Sequence, residues 1–329
     1  MITEQVQSPE VETAAPNAVA TTQAVPAPSA VAVAPAAIQN PLPVTLSVTT
    51  PSIAPQECDC EKSDGTTAPP PTPIYSLGSI RAAFPNISLE KQFEAAAATI
   101  QAQGPTNNLL YQVLSQGENL YIAMNMCYIF QIDTVDVYIL KPRTYVELAQ
   151  FITALDPSLE TPLDGIIGIK GPLAPPEMCN GLQLPLVAVN QSFISNLRDF
   201  VDAIASASGV SPELAQSVLE MIMGLTDNTG ATDEYRAINY LAVKYPQIYT
   251  TTAQMLDPEQ SPGGFQGAYY LVGVTAELAN VQGTRRIVNV IFQYMQRVTG
   301  ESAYWFTTVD VTGLYPFLVS KFAPYYPGP

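Results

Sequence analysis

The chain has 329 residues, with 13 Lys+Arg against 29 Asp+Glu for a formal charge of −16, and it contains no histidine. Without imidazole, Ser-His-Asp and Cys-His nucleophile systems and His-containing zinc sites are excluded, and so few cations leave no clamp for phosphoryl transfer. Such a surface repels phosphate backbones and anionic membranes, so neither nucleic acid nor membrane is expected as a partner, whereas a neutral or cationic peptide meets no such penalty.

Residues 1–73 hold 13 of the 30 prolines and no aromatic residue. They bury too little surface to offset their ordering entropy, and the expectation is a disordered Pro/Ala/Val/Thr-rich tail or linker. Met1 to Val6 has neither the basic region nor the apolar core of a secretion signal, and Leu120 to Ile132, the most apolar stretch, is too short to span a bilayer. Cys58, Cys60, Cys127 and Cys179 are too scattered for a disulfide framework, which points to a reducing, cytoplasmic setting.

Residues 74–329 read as one globular domain. Ile74 to Gly78 is a short strand ending in a glycine turn, and Ser88 caps a helix striped by Leu89, Phe93, Ala96, Ala97 and Ile100. A second helix follows from about Thr106 to Ser115. Glu118 to Gln131, apolar nearly all round, reads as a buried helix carrying Cys127, and Val135 to Leu140 as a strand. Leu148, Phe151, Ile152 and Leu155 mark another helix. Ile166 to Ile169 and Leu186 to Val189 are strand-like, and Phe193, Ile194, Leu197, Phe200, Val201 and Ile204 lie at helical spacing. Ser211-Pro212-Glu213 opens a helix with Pro in its first turn, and Tyr235 to Tyr245 forms one more before Pro246.

After Gly264 the period changes to two. Tyr270, Val272, Val274, Ala276 and Leu278 share one face, then Val288, Val290, Phe292 and Tyr294, then Trp305, Thr307, Val309 and Val311, with a fourth strand candidate over Leu314 to Phe322. The fold class is therefore α+β, with helices packed on an antiparallel C-terminal β-meander. Arg285 and Arg286 fall inside the second of these strands on opposite faces, as edge protection.

Few residues carry chemistry. Cys58-Asp59-Cys60 offers two thiolates but lacks the second pair of a structural zinc site, so a metal there needs convergence with Cys127 and Cys179 or, more readily, an intermolecular site across a dimer; otherwise no cofactor is expected. Ser88 and Lys91 match Ser-x-x-Lys formally, yet the companion motifs of serine acyl-enzymes are missing and an N-cap explains the serine. Asp133 with Asp136, and Asp233 with Glu234, are the carboxylate pairs a hydrolase or peptide-modifying enzyme would need, although both flank element ends where acids are ordinarily solvated. Aromatic clusters at Tyr269-Tyr270 and Tyr304-Trp305 suggest instead a recognition surface.

The order of segments resembles a known family. A Cys-x-Cys linker precedes Tyr75-Ser76-Leu77-Gly78, followed by Asp133 to Ile139, then Arg236-Ala237-Ile238-Asn239-Tyr240, and finally Phe306 to Val311 ahead of Pro316. Together these are similar to the C-terminal domain of PatG-type cyanobactin maturation proteases over about residues 55–329. The resemblance implies a cyanobacterial setting and a role in ribosomal peptide maturation. It carries over no catalytic residue, and a Pro/Ala-rich segment stands here where that family places a subtilisin-like macrocyclase. The expectation is a non-catalytic accessory domain that binds a peptide or a processing enzyme. A homodimer through an apolar face is compatible with it, and a structural role in a larger assembly is the other non-enzymatic alternative.

Overall fold

A computed structural model describes residues 71–159, 162–257, 267–279 and 283–326. The segment expected over 1–73 lies almost wholly outside the described residues, as do Cys58 and Cys60.

The first half is built on a closed five-stranded barrel, ordered β1-β2-β3-β5-β4. Its strands are β1 (Thr72–Ala83), β2 (Cys127–Ile132), β3 (Val135–Lys141), β4 (Pro162–Leu173) and β5 (Pro185–Asn196). All neighbours are antiparallel except β3 and β5, which run parallel. Inward positions such as Ile74, Phe130, Tyr138, Leu140, Ile166, Val187 and Val189 share one core with four helices: α1 (Ile87–Thr99), α2 (Thr106–Leu114), α3 (Leu120–Asn125) and α4 (Tyr145–Thr153). Closure removes the sheet edges that a small open sheet would expose.

The second half is the expected antiparallel sheet, ordered β10-β8-β7-β6 with a short β9 on β8. The strands are β6 (Tyr269–Leu278), β7 (Ile287–Gln296), β8 (Ser302–Asp310), β9 (Phe317–Leu318) and β10 (Ala323–Tyr325). One face carries Val288, Val290, Phe292, Tyr294, Trp305 and Val309. It packs on four helices: α5 (Leu197–Ser208), α6 (Pro212–Met223), α7 (Asp233–Lys244) and α8 (Gln247–Leu256). The same core reaches Tyr75, Leu77, Leu163 and Ile167 on the outside of the barrel, so these helices join barrel to sheet.

Several expectations change here, each for a physical reason. The apolar run from Glu118 is not one helix: it stops at Asn125, and Cys127 begins β2, a strand buried on both faces, whose continuous apolarity looks the same as a buried helix. Phe193 and Ile194 belong to β5, and α5 starts only at Leu197, where Asn196 accepts a hydrogen bond from the Arg198 amide at 3.1 Å. The cap of α1 is Asn86 rather than Ser88, its Oδ1 accepting from the Leu89 amide at 3.0 Å. Gly78 makes no turn: β1 runs straight through it, and a Cβ there would lie 2.0 Å from the Gln131 carbonyl oxygen of β2. Helix α8 beyond Pro246 was not foreseen, because Thr250, Thr251 and Thr252 lower helical propensity; burial decides, and Thr252 Oγ1 lies 2.8 Å from the Tyr294 hydroxyl. On β6 the register shifts between Leu271 and Gly273, so Tyr269 and Leu271 face the core while Tyr270 and Val272 are exposed, and the single expected face is broken.

The cysteine reading is overturned. Cys127 at the start of β2 and Cys179 in the β4–β5 loop come together with Cα atoms 6.0 Å apart and form a disulfide. Their separation of 52 residues hid the pairing, and it removes the cysteine argument for a reducing compartment.

Candidate functional site

The family-like motifs prove to be braces. Arg236, 1% exposed, donates from Nη1 to the Val311 carbonyl at 2.8 Å and from Nη2 to the carbonyls of Gly313 and Leu314, fixing α7 to the segment after β8. Asn239 donates to the Tyr75 carbonyl at 2.8 Å, fixing the same helix to the barrel. The Tyr240 hydroxyl accepts from the Leu318 amide at 3.2 Å. Residues 236–240 therefore bind the two halves together, with no exposed reactive group.

Of the carboxylates expected as acid–base candidates, Asp136 and Asp233 are paired with arginines. Asp133 is exposed in the β2–β3 turn with φ of 45°. Asp136 receives Arg81 Nε at 2.9 Å and a second bond from the same guanidinium, and this pairing holds its carboxyl below the usual range. Asp233 is buried, with Arg236 Nη1 at 3.5 Å and Arg286 Nη2 at 2.5 Å; burial pushes its carboxyl up and the two guanidinium groups oppose that. Glu234 is half-buried one residue further along α7. Arg285 and Arg286 precede β7 rather than lying within it, and Arg285 pairs with Asp310 at 2.6 Å, so both act as clamps.

One acid escaped the sequence reading. Asp164 on β4 is fully buried and faces the barrel interior beside Ile166. Its Oδ2 accepts from the Ile80 amide at 2.7 Å, where β1 leaves β4 for β2. Burial pushes the carboxyl up to about 7, the Ile80 bond opposing it. A lone acid in the run Leu163 to Ile169 was the available signal. The Ile80 bond makes Asp164 a buried cap for a backbone amide.

The aromatic candidates divide. Tyr269 and Trp305 are buried in the core, Trp305 at 5.4 Å from the Phe322 ring, and neither can form an exposed surface. Tyr270 and Tyr304 do face outward. Their face of the sheet continues through Ile291, Phe306 and Tyr325, with Phe306 and Tyr325 rings 5.4 Å apart. The Arg297 guanidinium lies 5.7 Å from the Tyr270 ring. Gly273, opposite Gln293, leaves open space in this face. Among the described residues β6 pairs with no strand other than β7, and its other edge runs alongside Tyr270, Val272 and Leu278.

A barrel joined by helices to an aromatic-faced antiparallel sheet, with Asp136 and Asp233 each paired to arginine, defines a two-part α+β module. The family model for the PatG domain matches residues 73–257 and that for the PatG C-terminal region matches 205–325, so the chain belongs to the PatG domain family. The chain is also similar to a solved structure described as the PatG domain of unknown function, with a TM-score of 0.60 and 17% identity over 77% of this chain and 98% of that one. No curated protein matches it. Among the described residues no helix is long and apolar enough to cross a membrane.

Proposed function

We propose that this chain is a non-catalytic accessory module that binds a peptide or a processing enzyme in ribosomal peptide maturation of the cyanobactin kind. The observation that carries the reading is the edge of β6 to which no described strand pairs, beside an aromatic sheet face. An extended peptide would add to that edge through main-chain hydrogen bonds, with its alternate side chains resting against Tyr270 and Val272. Tyr270 and Tyr304 would supply large contact area at little entropic cost. Family membership supports the setting, and the pairing of Asp136 and Asp233 with arginines supports a binding role over acid–base chemistry.

Calorimetric titration of the full chain with synthetic precursor peptides and processing enzymes from its own gene neighbourhood tests this. The wild-type chain is expected to bind at least one, and Tyr270→Ser combined with Tyr304→Ser to weaken that binding by about tenfold or more. If nothing from that neighbourhood binds the wild-type chain, the reading fails.

A further inference from the structure

A second surface lies on helices α5 and α6, and none of its lining residues belongs to β6. Helices α5 and α6 form a hairpin turned by Gly209, whose φ is 72°. Between them runs a cleft of about 570 Å³, with Leu197 and Val201 from α5 meeting Leu219 and Met223 from α6. On each helix the two apolar positions lie four residues apart, one turn, so they share one face of the hairpin. A second cleft of about 360 Å³ continues from the first, sharing Leu197, Glu220 and Met223 and reaching Leu77 and Leu163 of the barrel.

The rim has one dominant sign. Asp202, Glu213 and Glu220 border the first cleft and Asp133 and Asp227 the second; all five are exposed, with Arg198 the basic residue among the lining groups. Burial pushes the Asp227 carboxyl up and the Asp133 charge adds to that. An apolar floor of about one helical turn on each helix, extended by Leu77 and Leu163 of the barrel and flanked by carboxylates, is complementary to one kind of ligand.

We infer that the α5–α6 groove docks an amphipathic helix of a partner protein whose apolar face is flanked by Lys and Arg. The floor receives the apolar face as a third helix of a bundle, and the rim acids receive the basic flanks, which sets orientation and speeds encounter. A second copy of this chain does not fit. It carries the same charge of −16, and α1, α5 and α7, for example, offer at most two basic residues each, Arg236 of α7 being buried. This surface is separate from the β6 edge, so the two readings stand or fall independently.

The test uses the full chain and a fluorescent Leu/Lys amphipathic peptide of roughly 14 residues, with a Leu/Glu peptide of the same pattern and a scrambled Leu/Lys peptide as comparisons. The Leu/Lys peptide is expected to bind with an anisotropy change that weakens as salt rises, and the other two at least about tenfold more weakly. Asp202→Lys with Glu220→Lys is expected to weaken binding about tenfold, while Glu118→Lys with Glu177→Lys, exposed acids elsewhere giving the same change in net charge, leaves it within about twofold. Equal losses from both pairs, or equal binding of the scrambled peptide, would reduce the effect to general attraction by an acidic protein and overturn the proposal. Absence of binding by the wild-type chain would overturn it too. Tyr270→Ser with Tyr304→Ser leaves this peptide's affinity unchanged, which separates the groove from the sheet.

Discussion

Replacing Asp164 by Asn should make the protein more stable at neutral pH and leave it nearly unchanged in acid. Asp164 is fully buried, and burial holds its carboxyl up at about 7 against an ordinary value of 3.8. A carboxyl with a raised folded-state pKa favours folding fully below its unfolded value, and that contribution is lost as pH rises through the folded value. The window is therefore about pH 4 to 7. Above it the ionised group costs the fold as much as about 4 kcal/mol, the equivalent of its displacement. Asparagine keeps an oxygen for the Ile80 amide and never ionises, but its NH2 group is buried at a cost of about 1 kcal/mol. The expected gain is about 2 to 3 kcal/mol at pH 8, with Asn within about 1 kcal/mol of Asp at pH 4. Urea unfolding at half-unit steps from pH 4 to 8.5 measures both curves. Parallel curves for the two proteins would mean that Asp164 does not titrate in this window, and the reasoning about its burial would be wrong.

Other consequences follow from the braces and the disulfide. Cys127→Ser, or reduction of the wild-type chain, releases a 52-residue loop and should cost about 2 to 4 kcal/mol, read as a lower melting temperature, with one more titratable thiol in the variant and two more in the reduced chain. Arg236→Met leaves the Val311, Gly313 and Leu314 carbonyls without their donor and should cost about 3 to 5 kcal/mol in chemical unfolding. Gly230→Ala should cost about 2 to 4 kcal/mol in the same assay, since φ there is 64° and a Cβ would lie 2.0 Å from the Tyr75 carbonyl oxygen.

What could be read from sequence was what depends on local period. The strands β7 and β8 show unbroken alternation because one face is core and the other is solvent, and their side-chain assignments hold in the structure. The Ser211 cap of α6 was equally visible, since Pro212 and Glu213 follow it and its hydroxyl accepts from the Leu214 amide. What could not be read depends on residues distant in sequence. The barrel closes through β3 against β5, a parallel pairing between Ile139–Lys141 and Leu186–Ala188 that no local pattern encodes. The bulge at Val272 reverses which β6 residues are exposed, and so moved Tyr269 into the core. Trp305 was assigned to a buried strand face by its period and to a surface by its aromatic neighbours, and the period was right. The motifs that marked the family mark the joints of the fold, which is why they located no site: Arg236, Asn239 and Tyr240 hold α7 between barrel and sheet.

Hydrogen exchange of the full chain, with and without a precursor peptide that binds it, bears most directly on the proposed role. Peptide added to the edge of β6 away from β7 should slow exchange of its outward amides between Tyr270 and Leu278 by at least about tenfold while β7 and β8 change little. Protection confined to other elements, with β6 exchanging as in the free protein, would contradict the account.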